Sequence, residues 1–214
     1  VLGLTMLSGL FNRAASWFVL GVMRLMAAGL VLACAASWAE SDTKDWDLTQ
    51  LMQSLARVES ARARFTEQKY MSILTEPLNT SGLLEFRAPD RLEKHVLKPQ
   101  EERYLIVQDT LLIEQPGKGK SRQFVLQRYP AMWAFVEGLR GTLAGNAGTL
   151  QRFYTIKLQG VRDQWSMDLE PLEKSMKAMV RMIRIQGKEG QINTIEILEK
   201  NGDRSVMTII PETP

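Results

Sequence analysis

From Arg64 onward the chain is a succession of short stretches in which apolar and polar residues alternate, separated by Pro, Gly, Asn and Asp. Strict alternation places every second side chain on one face of an extended strand, so each stretch reads as a β-strand with one apolar and one solvated face. The stretches are 65–74, 82–87, 91–98, 103–108, 110–115 and 121–128, then 152–159, 164–169, 179–186, 191–199 and 204–210. Pro77 with Asn79, Pro89-Asp90, Pro99, Asp109 and the run Pro116-Gly117-Lys118-Gly119 punctuate the first six. Connections this short join antiparallel neighbours, because a parallel crossover needs a dozen residues or more.

Two segments carry the helical period instead. Trp46, Leu48, Leu51, Met52, Leu55 and Val58 recur at three- and four-residue spacing behind Asp42, Asp45 and Asp47, whose charges suit a helix start. Pro130 opens a second helix over 131–143, with Met132, Phe135, Val136, Leu139 and Leu143 on one stripe, and Ala144-Gly145-Asn146-Ala147-Gly148 reads as a pliant loop behind it. A helical turn is expected over 171–176. The fold expected is mainly β (α+β): a curved antiparallel sheet of about ten or eleven strands forming an incomplete barrel, with an N-terminal helix and a mid-chain helical lid.

Residues 1–39 contain no acid and two basic residues, Arg13 and Arg24, among Leu, Ala, Val, Met and Gly. Met23-Arg24, the apolar run to Ala36 and then Ser37-Trp38-Ala39 give the charged, apolar and small-residue regions of a signal peptide in order. The reading is translation from Met23, cleavage after Ala39, and a single exported domain over 40–214. Val31-Leu32-Ala33-Cys34 is also a passable lipobox, so Cys34 is an alternative acylation site.

One cysteine and one histidine, His95, leave no disulfide framework, no His/Cys zinc cluster and no Cys–His pair unless those two meet. Residues 117–121 lack the first glycine of a phosphate loop. Glu67, Glu85, Glu93 and Asp109 fall one to a strand or turn, as solvated outer positions do. No catalytic residue, metal or cofactor is expected, and the chain reads as a non-enzyme. A net charge of +3 spread along the sequence makes no basic stripe for nucleic acid.

The apolar positions are more telling. Leu84 and Phe86, Leu92 and Val96, Leu111 and Ile113, Phe124 and Leu126, Ile156 and Leu158, Trp165, Met167 and Leu169, and Ile183 and Ile185 alternate with polar neighbours. They form one continuous apolar face, which Met132, Trp133, Phe135, Val136 and Leu139 of the central helix cover as a lid. The face reads either as an ordinary packed core or as a cavity for an apolar ligand; flexible methionines suit the second.

The run Phe65-Thr66-Glu67-Gln68-Lys69, followed by Gly82-Leu83-Leu84-Glu85-Phe86-Arg87-Ala88-Pro89-Asp90-Arg91-Leu92, resembles the LolA-like outer-membrane lipoprotein carrier family. Its patterns in this chain are F-x-x-Q and G-x-L-x-F-x-x-P-x-x-L. The resemblance implies a monomeric periplasmic half-barrel whose cavity takes acyl chains of a lipoprotein or lipid. It also implies an inner-membrane transporter as donor and an outer-membrane acceptor. Two positions depart from the family: Ala88 stands where the carrier has a lid-gating arginine, with Arg87 as a candidate substitute, and Lys94 stands where tryptophan is common. The chain looks more like a divergent branch, whose cargo extends to glycolipids or polyene lipids. The alternatives are a receptor or sensor tethered through Cys34 and, last, a periplasmic enzyme using strand carboxylates.

Overall fold

The computed structural model describes residues 46–212; the expected signal peptide, with Met23, Cys34 and Ala39, lies outside the described residues. The described residues form one compact unit. The helix α1 spans Leu48–Leu55, shorter than the periodic stretch, and starts where the Asp47 carboxylate accepts the Gln50 N–H at 2.8 Å. A meander follows: β1 (Ser60–Tyr70), β2 (Leu78–Arg87), β3 (Arg91–Lys98), β4 (Glu102–Val107), β5 (Thr110–Gln115) and β6 (Lys120–Val125). The helices α2 (Pro130–Leu143) and α3 (Ala147–Phe153) lead to β7 (Tyr154–Val161) and β8 (Gln164–Pro171). The short α4 (Lys174–Lys177) precedes β9 (Val180–Lys188), β10 (Gln191–Glu199) and β11 (Arg204–Pro211).

The eleven strands make one sheet in the order β6-β5-β4-β3-β2-β1-β11-β10-β9-β8-β7. Every pairing is antiparallel, and β1 against β11 joins the two meanders at the centre. β6 and β7 are edges, so the sheet is not closed into a barrel. It is nevertheless curled. Flat, eleven strands would span about 48 Å, whereas α2, about 21 Å long, packs against both ends: Ala134 and Phe135 belong to the cluster on β7–β9, and Met132, Trp133 and Val136 to the one on β4–β6.

Three expectations need correction. β1 begins at Ser60 and β2 at Leu78, because the inward positions there include Ala61, Ala63, Thr80 and Gly82, which give little apolar signal. Leu126 is not in β6 but opens a 3₁₀ turn, Leu126–Arg128, that swings the chain into α2. The loop expected at 144–148 is a tight joint instead. Gly145 sits at φ +61, its N–H donates to Thr142 and that of Asn146 to Gly141, and the Asn146 side chain then accepts the Thr149 N–H to start α3.

Candidate functional site

Because directly paired residues share a face, the register decides whether the apolar positions form one surface. They do. One row runs Phe124, Leu111, Ile106, Leu92, Phe86, Ala61, and a second runs Ile113, Tyr104, Lys94, Leu84, Ala63. Across the central seam, Met207, Ile195, Ile185, Met167 and Leu158 make one row, and Ser205, Ile197, Ile183, Leu169 and Ile156 the next. Val96 and Trp165 lie opposite Gly82 and Gly187 on the same face.

That face is not uniform. Over β7–β9 it is a dry core, with Trp165, Met167, Leu169, Ile183 and Ile185 buried against Leu51, Met52 and Leu55 of α1, Leu150 of α3 and Met176 of α4. Over β4–β6, Leu111, Leu126 and Val136 are buried and Ile113, Phe124, Met132, Trp133 and Phe135 are half-buried around them. Between the two, Leu84 and Leu92 remain half-buried, and Phe86 and Val96, although buried, belong to neither cluster. The expected single apolar face is thus a filled layer, a smaller cluster and an incompletely covered middle.

The helix α2 is held over this face by few polar contacts. On the β7 side the Tyr154 hydroxyl donates to the Ala134 carbonyl at 2.9 Å, and Gly138 lies so close that an added Cβ would meet the Tyr154 ring at 2.5 Å. Burial pushes the Tyr154 phenol well above its usual range, so it stays a donor. Trp133 meets Phe153 edge-on at 5.3 Å. At the far end of α2, Arg140 is almost covered, at 11% side-chain exposure, and pairs with Glu137 at 3.0 Å. Its Nη2 donates to the backbone carbonyls of Gln108, in the β4–β5 turn, and Asp90, in the β2–β3 turn. Its buried Nε has no partner among the described residues. Arg87, the candidate substitute for a gating arginine, is exposed, pairs with Ser60 and Arg91, and points to the outer face because Phe86 points in. Arg140, on the lid itself, is the arginine that ties α2 to the sheet. Leu139, beside Arg140, is half-buried.

One polar nest interrupts the apolar rows. Lys94 Nζ donates to Glu67 Oε2 at 2.5 Å and lies 4.9 Å from the centre of the Phe65 ring; Ser205 and Thr80 also donate to Glu67. Burial raises the Glu67 pKa, but the charge and hydrogen bond of Lys94, with the Ser205 and Thr80 hydroxyls, outweigh it and hold the carboxyl below its ordinary value. Next to it the Tyr104 hydroxyl donates to Glu102 at 2.6 Å, and burial followed by that carboxylate pushes the phenol up to about 12. The alternation already places Lys94, between Leu92 and Val96, and Tyr154, two residues before Ile156, on the inner face; Glu67, expected as an outer charge, is inward because it shares the parity of Phe65, and Arg140 is marked only by sitting at i,i+3 from Glu137 in an otherwise mostly apolar helix.

The outer face is a solvated charge ladder. Arg103 bridges Glu93 and Glu114, and Arg184 pairs with Asp168. His95, with Glu101 at 2.9 Å, belongs to this face. Two open cavities lie here: one of about 590 Å³ bordered by Glu93, His95 and Arg103, the other of about 450 Å³ bordered by Thr66, Gln68 and Lys98. Neither is lined by the apolar inner rows. Among the described residues no three of His, Cys, Asp and Glu are grouped to hold a metal ion, and no helix is long and apolar enough to cross a membrane.

The family model described as "Outer membrane lipoprotein carrier protein LolA-like" matches residues 39–210. No curated protein matches the chain. Among solved structures it is similar to a LolA superfamily protein of Nitrosomonas europaea, at 10% identity and a TM-score of 0.42, covering 77% of this chain and 93% of that one. It is also similar to a putative outer membrane lipoprotein-sorting protein domain of Vibrio parahaemolyticus, at 8% identity, a TM-score of 0.40 and coverage of 79% and 93%. A third similarity is to the Pseudomonas aeruginosa MucA/MucB complex, at 12% identity, a TM-score of 0.42 and coverage of 76% and 55%.

Proposed function

The chain belongs to the outer membrane lipoprotein carrier protein LolA-like family, and on that footing we propose that it is a periplasmic carrier whose inner face shields the acyl chains of a lipoprotein or related lipid between the two membranes. The observation that carries this reading is the half-covered middle of the apolar face, Leu84 and Leu92 with Phe86 and Val96, beneath a helix held by a handful of polar contacts. An ordinary core would bury that strip as completely as it buries Met167 and Ile185.

Each methylene withdrawn from water is worth about 0.8 kcal/mol, so a single long acyl chain gains on the order of 10 kcal/mol from such a shelter. No bond is made or broken, and the chain acts without a nucleophile, metal or cofactor. Release requires α2 to lift, and Arg140, whose Nε is buried without a partner, is the natural latch: its closed position is held by two carbonyls and Glu137 and is not fully satisfied. The donor is an inner-membrane transporter and the acceptor an outer-membrane receptor, as for the family.

The test is mass spectrometry of the protein purified gently from its own periplasm. Acylated molecules should co-purify with a chain that begins at Glu40, and folded Leu84→Asp should lose them. An empty wild-type protein, or full retention by the folded variant, overturns the reading. An acylated Cys34 at the N-terminus would make the protein a tethered receptor instead.

A further inference from the structure

The end of the sheet formed by the β1–β2, β3–β4, β5–β6 and β10–β11 connections, together with α4, combines exposed aliphatic side chains, which the opposite end also has in Val161 and Ile210, with a group of lysines outside any ion pair among the described residues. It carries exposed large aliphatic residues: Ile73, the most exposed at 80%, with Leu74, Leu78, Leu97, Leu172 and Met179. It also carries Lys98, Lys118, Lys120, Lys174, Lys177 and Lys200, all exposed and none in an ion pair among the described residues. The other described lysines, Lys69, Lys94, Lys157 and Lys188, are all paired. The free cations of this type are therefore gathered at one end.

The carboxylates at that end are mostly engaged. Glu173 caps α4, Glu101 binds His95, and Asp203 accepts the Ser72 N–H at 2.9 Å and the Asn201 amide, leaving Glu76. The Ser72–Asp203 bond also fixes the β1–β2 loop against the β10–β11 turn, and the Lys200 N–H to Met179 carbonyl bond ties that turn to α4. Ile73 and Leu74 thus project from a braced loop amid unpaired lysines.

We propose that this end of the sheet docks on an anionic lipid surface, with Ile73 and Leu74 entering below the head groups and the lysines lying among them. The chemistry favours lipid over protein. Protein interfaces draw on Tyr, Trp and Arg and are depleted in Lys, whereas aliphatic tips ringed by lysines that can snorkel suit an anionic bilayer. The site lies apart from the half-covered middle of the inner face, so docking stands or falls separately from cargo binding.

The experiment uses the chain from residue 40, whose core clusters lie wholly within the described residues. Co-sedimentation is measured with vesicles of phosphatidylcholine containing phosphatidylglycerol, and with phosphatidylcholine alone. The wild type should bind the anionic vesicles, and added salt should weaken binding. Lys177→Gln and Lys200→Gln should each reduce it by about fivefold, and Ile73→Asp by at least about tenfold. Leu74→Asp is a second variant for the same tip, with unchanged thermal unfolding as the folding control. Leu84→Asp should still bind, which separates docking from uptake of a phospholipid into the groove. Failure of the wild type to bind anionic vesicles, equal binding to neutral ones, or full binding by folded Ile73→Asp overturns the proposal. So does finding that Ile73→Asp disturbs only capture of a protein partner.

Discussion

Replacing Lys94 by methionine tests how the inner face holds its one ion pair. The side chains of Lys94 and Glu67 are 29% and 16% exposed, between a surface pair, worth about 0.2–1 kcal/mol, and a fully buried one, whose rupture costs about 3–5 kcal/mol. We expect Lys94→Met to cost about 2 kcal/mol near neutral pH, because Glu67 keeps its charge but loses its cation; for a domain of this size that lowers Tm by about 4–8 °C. The pH dependence has a definite sign. The folded Glu67 pKa is depressed, so its contribution is complete above the ordinary value of 4.5 and is lost as pH falls through the folded value. The difference between wild type and Lys94→Met should therefore shrink on acidification below that range, while the Glu67 midpoint, followed by NMR, moves upward in the variant. Glu67→Gln combined with Lys94→Met should recover most of the loss, because the glutamine carbonyl accepts from one of the Ser205 and Thr80 hydroxyls and its amide N–H donates to the other, with no charge left behind. Urea denaturation from acid to neutral pH measures all three proteins. A wild-type–variant gap that does not change with pH, or a double variant less stable than Lys94→Met, refutes the reasoning.

Two further substitutions probe the lid. Gly138→Ala places a methyl group where the Tyr154 ring stands; α2 should rise, destabilising the fold by about 1–3 kcal/mol and speeding hydrogen exchange in α2, and protection equal to wild type would contradict the contact. Arg140→Met should cost less than about 2 kcal/mol, since loss of its hydrogen bonds is offset by removal of a buried N–H without a partner. Its signature is local: faster exchange in α2 with β7–β9 unchanged, whereas a uniform change across the sheet would deny Arg140 the part of a latch.

Much of this architecture is readable from period alone. The alternation locates all eleven strands, and β3, β5 and β10 have the boundaries it predicts. It fails where the inward residue is small or polar, as at Ala61, Ala63 and Thr80, because burial there is set by the neighbouring strands and not by the residue's own hydrophobicity. It also fails at 144–148, where two glycines suggest a loop. Gly145 is needed because a Cβ there would meet the Met52 carbonyl at 2.0 Å, and Asn146 restarts the helix at once. Pattern likewise places Leu84 and Met167 on one surface, but whether each is covered depends on the reach of the helices, which no strand encodes. Lys94 shares the parity of Leu92 and Val96, so its inward position is readable, whereas Glu67 looks like a solvated outer charge until its pairing opposite Thr80 turns it inward.

That unequal cover bears on how a carrier of this shape would load. An acyl chain entering over β7–β9 would have to displace Leu51, Met52, Leu55, Leu150 and Met176 together, exchanging a close-packed layer for a mobile chain. Entry over β1–β3 displaces far less: Leu84 and Leu92 are already half-exposed, and Leu139 and Leu143 of α2 are only half-buried. The contacts of Arg140 with the two turns resist it there, and α2 is also anchored along its length by Val136 and Trp133, by the Tyr154–Ala134 bond, and by the close fit of Gly138 on Tyr154 and of Gly145 on Met52. On the carrier reading the middle of the sheet is the binding strip, and the apolar surface uncovered when α2 lifts is covered again by the cargo. The free-energy change of loading is then a difference between two burials, small enough for a membrane acceptor to reverse.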